Sequence, residues 1–107
     1  MPKRAIIFKT SDGREPYTEY VDLLRDREGA AKIRLRVTRA EMGNLGNYRS
    51  VGEGVIELKI NFGPGYRIYA GLHGNEVIVL LCAGDKSSQE KDISKAKSYW
   101  GNYRRNL

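Results

Sequence analysis

The sequence predicts an α+β domain in the order strand, two helices, three meandering strands, helix. Three observations carry that prediction. Residues 56–62 and 66–72 each alternate apolar and polar side chains at the period of a half-buried strand. The run Val77, Ile78, Val79, Leu80, Leu81 is apolar on both faces, as an interior strand covered from two sides would be. The stretches on either side of this β region repeat their apolar residues at the period of a helix. With 107 residues and no internal repeat, the chain forms one domain around one core.

Residues 5–9 read as a short first strand, ended by the turn Ser11, Asp12, Gly13. Pro16 suits the first turn of a helix, and Tyr17, Tyr20, Val21 and Leu24 follow at i, i+3, i+4 and i+7, so a helix runs to about Arg27 and breaks at Gly29. A second helix spans about 30–42, with Ile33, Val37 and Ala40 facing the core and Lys32, Arg36 and Arg39 on another face. The two form a helical hairpin on one face of the sheet. Gly43 and Gly46 stop the second helix, and residues 43–54 are expected as the most flexible loop. Strands follow near 55–62, 65–73 and 76–83, turning at Phe62, Gly63, Pro64, Gly65 and then at Gly74, Asn75. The result is a small, mostly antiparallel twisted sheet. Ser87 followed by Glu90 predicts a capping box for the last helix, whose buried stripe is Ile93, Ala96, Trp100 and Tyr103. Lys91 and Lys95 lie on its exposed face.

The net charge of +6 favours a polyanionic partner. The charge is concentrated: residues 25–49 hold seven Lys/Arg against three Asp/Glu, and residues 86–107 hold six against two. Cys82 is the single cysteine and His73 the single histidine, which excludes an internal disulfide and a multi-Cys or multi-His metal site. The apolar stretch near the N-terminus is too short for a signal peptide and no segment approaches membrane-spanning length, so a cytoplasmic protein without a membrane partner is expected.

If the strands near 55–62 and 65–73 pair through their four-residue turn, Ile56, Leu58, Ile60, Tyr66, Ile68 and Ala70 share the core face. Glu57, Lys59, Arg67 and Tyr69 then point the other way. Two cations and a phenol on one polar sheet face suit a phosphate-bearing partner.

The segments Glu57-Leu58-Lys59, Gly65-Tyr66-Arg67, Gly84-Asp85-Lys86-Ser87-Ser88-Gln89 and Lys91-Asp92-Ile93 resemble those of the RelE/ParE superfamily of type II toxins, in its HigB-like or addiction-module killer branch. The resemblance covers roughly residues 5–100. It implies a RelE-like fold and, for the endonucleases of the superfamily, ribosome-dependent cleavage of mRNA by attack of a ribose 2′-hydroxyl on the adjacent phosphate, without metal or cofactor. It also implies a cognate antitoxin, a helix-turn-helix HigA-like protein, through which alone operator DNA is bound. Such chemistry needs a base, an acid and fixed cations around the phosphorane. Arg67 matches the family's Gly-Tyr-Arg arginine, suited to a bidentate grip on phosphate, while Lys59 and Lys86 match neighbouring basic positions. No arginine stands beside Gly84, and the last helix offers Asp92 where the best-known endonuclease pattern has a catalytic tyrosine. Asp92 and Tyr69 are therefore acid/base candidates, Lys59 or Lys86 could also serve as the base, and no role is assigned. Lys32, Arg36, Arg39, Arg49, Lys91 and Lys95 are the expected contacts to RNA phosphates. Two other readings share the scaffold: a non-enzymatic ParE-like inhibitor of DNA gyrase, and an inactive relative kept as a binding module.

Overall fold

The edge strands of this protein come from its first segment and from a segment with no strand signature. In the computed structural model, which describes residues 2–107, β1 (Arg4–Ile7) leads into α1 (Pro16–Leu23) and α2 (Arg27–Glu41). Then come β2 (Tyr48–Gly52), β3 (Val55–Ile60), β4 (Tyr66–His73) and β5 (Val77–Gly84). A short 3-10 turn, Lys86–Ser88, leads into α3 (Gln89–Arg105). The five strands form one mixed sheet in the order β1-β5-β4-β3-β2, with β1 parallel to β5 and every other pair antiparallel.

The alternation in β3 and β4 does what its period requires. Ile56, Leu58, Ile60, Ile68 and Ala70 pack with Tyr17 and Val21 of α1 and Ala30, Ile33 and Ala40 of α2 into one core. On the other face, Ala96 and Trp100 of α3 close over Val55, Tyr69, Val79 and Leu81. β5 therefore lies between two layers, which explains its continuous apolar run. Its register against β4 slips between Tyr69 and Ala70, where Tyr69 pairs with Cys82 and Ala70 with Leu80. The extra residue, Leu81, sends both Leu81 and Cys82 to the α3 side, so a bulge and not simple alternation sorts that strand.

Three local expectations are corrected. The flexible loop contains β2, whose residues pair with β3 and turn through Glu53 (φ 56°) and Gly54 (φ 85°), with Gly52 before them also at positive φ (101°). Being exposed on most of its length, β2 needs no apolar alternation and left no periodic signal. The break between α1 and α2 falls at 24–26, not at Gly29. Asp26 is the N-cap of α2 and accepts a hydrogen bond from the Gly29 backbone N–H at 2.9 Å, so Gly29 lies inside the first turn. The capping box at Ser87 and Glu90 does not form. Asp85 caps the 3-10 turn by accepting from the Ser87 N–H at 2.8 Å, and α3 starts two residues later than Ser87. On the polar face of β3 and β4, Glu57, Arg67 and Tyr69 are buried while Lys59 stays exposed.

Candidate functional site

Lys59 and Arg67 are direct register partners across β3 and β4, so their side chains leave the same face of the sheet side by side. They line a cavity of about 290 Å³ together with Arg49 of β2, Glu57 of β3 and Gln89 of α3. Lys59 and Arg49 are exposed, whereas Arg67 is only 5% exposed. A guanidinium so placed would normally have all its donors engaged, since an unpaired buried charge is costly. In Arg67 one Nη donates to the Gly65 carbonyl at 2.6 Å, but Nε has no hydrogen-bond partner. The nearest carboxylate oxygen, Glu57 Oε2, is 3.6 Å away. The chain keeps a cation at the wall of a cavity without closing its bonds.

Glu57 is the organising group, and the expectations above gave it no role. Oε1 accepts from Arg49 Nε at 2.9 Å, and Oε2 accepts from Gln89 Nε2 at 2.9 Å and from the Tyr69 hydroxyl at 3.1 Å. Burial pushes the Glu57 carboxyl up, but the bonds from Arg49, Gln89 and Tyr69 together outweigh it and hold the group below its ordinary range. It is an ionised carboxylate at neutral pH. The sequence signal was there: a lone acid between Ile56 and Leu58, two residues from Lys59 on a strand otherwise dominated by apolar side chains.

Tyr69 is removed from the acid/base candidates. It is fully buried, its hydroxyl is spent on Glu57, and burial followed by the Glu57 charge raises it far above an ordinary tyrosine. Asp92 is separated from the Arg67 cavity. It projects from the first turn of α3 over Gly84, where a Cβ would collide with its carboxyl, and it lines a different cleft of about 650 Å³ between α1 and α3 with Tyr20, Leu24, Cys82, Lys95 and Tyr99. Ser88 Oγ donates to Asp92 Oδ2 at 2.6 Å, while burial dominates and raises the carboxyl. Cys82, in the same cleft, is pushed up to about 12 by burial and is an inert thiol.

Lys86 is exposed beside the β3–β4 turn, its backbone N–H donating to the Pro64 carbonyl at 3.4 Å. Its side chain borders a groove at the start of α3 shared with Lys91, outside the Arg67 cavity. The α2 stripe is divided. Arg36 is held to the sheet edge, donating to the carbonyls of Asn47 at 2.9 Å and Lys59 at 3.4 Å, and Lys32 Nζ stands 4.8 Å from the Phe62 ring centre. Arg39 is exposed. Lys95 lies across the molecule from that stripe, against the α1–α3 cleft, so the six expected RNA-contacting residues do not form one surface. Among the described residues, no group of three His, Cys, Asp or Glu side chains is placed to hold a metal ion, and no helix is long and apolar enough to cross a membrane.

No family model matches the chain. It is 41% identical over 81 residues to an uncharacterized protein of Haemophilus influenzae, a match that spans 76% of this chain and 82% of the relative.

Proposed function

The chain belongs to the family of that Haemophilus influenzae protein, and we propose for it a metal-independent ribonuclease of the RelE-like, HigB-like toxin class. It cuts translated mRNA in the cytoplasm, on the ribosome, and a cognate antitoxin neutralises it. The observation that carries this reading is the Arg67 guanidinium, buried to 5% exposure with Nε unbonded, on a cavity wall next to Lys59. A scissile phosphate in that cavity would lie against this guanidinium, and a guanidinium fixed before substrate arrives needs no reorganisation as charge builds on the phosphorane. Lys59 adds the second positive charge from the exposed side. In-line attack by the 2′-hydroxyl gives a 2′,3′-cyclic phosphate and a free 5′-hydroxyl, and it requires positioning and charge from the protein rather than a covalent intermediate. The resemblance in the segments around Gly65, Arg67 and Lys86 supports the toxin class.

The test is primer extension on a reporter mRNA after brief induction of wild type and of Arg67→Ala, with gyrase-linked DNA breaks scored in the same cells. New 5′ ends inside the reading frame, absent with Arg67→Ala, are expected. Intact mRNA with accumulated DNA breaks would overturn the reading and move the chain to the gyrase inhibitors.

A further inference from the structure

We propose that Glu57 is the general base of the site, its carboxylate taking the proton of the attacking 2′-hydroxyl while Arg67 and Lys59 hold the phosphate. The assignment rests on the ribonuclease reading above and fills the role that Tyr69 and Asp92 vacate, since Tyr69 is sealed and Asp92 lines another cleft.

Glu57 shares one cavity with the two phosphate-binding cations, two residues from Lys59 on the same face of β3 and across the strand pair from Tyr69. A base must reach the nucleophile next to the phosphate it attacks, and in this cavity the carboxylate is the one ionised acid on the wall. A carboxylate offers about four lone-pair positions. Three are engaged, two of them at Oε2 and one at Oε1, so Oε1 retains an unused position. Arg49 pairs directly with Oε1 at 2.9 Å, whereas toward Arg67 the pair stays open, its Nε standing off Oε2 at 3.6 Å. The groups facing Glu57 are Arg49 from β2, Lys59 on its own strand, Arg67 and Tyr69 from β4, and the neutral amide of Gln89 from α3. Arg49, Gln89 and Tyr69 keep it ionised and fix its orientation.

In the step, the 2′-oxygen forms a bond to phosphorus as its proton passes to Glu57, and the bond from phosphorus to the 5′-oxygen breaks. The departing oxygen takes a proton from the Lys59 ammonium. Glu57 then releases its proton to solvent and Lys59 regains one, which restores both groups.

Single-turnover cleavage of an mRNA bound on ribosomes, followed against pH for wild type, Glu57→Gln and Gln89→Ala, tests the assignment. Glu57→Gln should bind RNA at least as tightly as wild type yet cleave roughly 100-fold or more slowly. The wild-type rate should fall on the acid side with the loss of one carboxylate. In Gln89→Ala that fall should begin at higher pH, because the lost donor had favoured the ionised form. Cleavage by Glu57→Gln within about threefold of wild type, or an acid limb that stays in place in Gln89→Ala, would overturn the assignment while leaving the ribonuclease reading intact. Should Glu57→Gln fail to fold, the Gln89→Ala limb decides. No cleavage by wild type itself would overturn the ribonuclease reading and the base with it.

Discussion

Arg67 Nε and Glu57 Oε2 lie 3.6 Å apart with both side chains almost wholly buried, close enough to attract and too far to hydrogen-bond. Glu57 is held back by its other donors, and Arg67 by the Gly65 carbonyl. The pair is thus kept apart by the surrounding bonds.

RNA affinity should fall with added salt, and Lys59→Ala should lessen the slope of that fall by about one counterion. Binding of a short single-stranded RNA, titrated over a range of salt concentrations, reads this directly. An unchanged slope would place the phosphate elsewhere.

Tyr69→Phe removes one of the three donors to Glu57 without changing the packing of the ring. Chemical denaturation should show a loss of about 1.5–3 kcal/mol, the net worth of a hydrogen bond to a charged group. A loss several times larger would mean that the hydroxyl has a further structural partner.

Asp92 and Glu57 should oppose one another in the pH dependence of stability. The Asp92 carboxyl is raised by burial above its ordinary 3.8, so its contribution is fully present below that value and is lost as pH rises through the folded pKa. The Glu57 carboxyl is lowered from 4.5, so its contribution is present above that value and lost as pH falls through the folded pKa. Asp92→Asn should therefore be at least as stable as wild type at pH 7 and should lose the part of the pH dependence that lies above 3.8. Thermal unfolding from pH 3 to pH 8 checks both signs.

Arg36→Ala should destabilise the fold by roughly 1.5–3 kcal/mol, because it removes the charged donor to the Asn47 and Lys59 carbonyls and frees the start of β2 from α2. Arg39→Ala, three residues along on the exposed face, should stay within about 0.5 kcal/mol of wild type. Urea denaturation of the two variants separates a structural arginine from a solvated one.

Gly71→Ala should cost about 1–3 kcal/mol, since the new methyl would collide with the Trp100 ring that lies flat against the β4 backbone. The displacement should be visible as a change in the fluorescence of Trp100, the single tryptophan.

The sequence by itself determined the helices, the β3–β4 hairpin and the sharing of one face by Lys59 and Arg67. These follow from local chemistry: a period of two, a period near 3.6 and a four-residue turn act within a few residues, and the core is simply the sum of the apolar faces. Only the tertiary structure decided what surrounds that polar face. Nothing near Glu57 in sequence says that α3 will return to bury it and supply Gln89, or that β2 will bring Arg49 to its other oxygen. Likewise Tyr69 and Asp92 each carry the right functional group, and only packing shows one sealed beneath α3 and the other turned to a separate cleft. β2 itself was illegible for a related reason. An exposed edge strand is held by backbone bonds to its neighbour, and backbone bonds leave no mark on the identity of side chains.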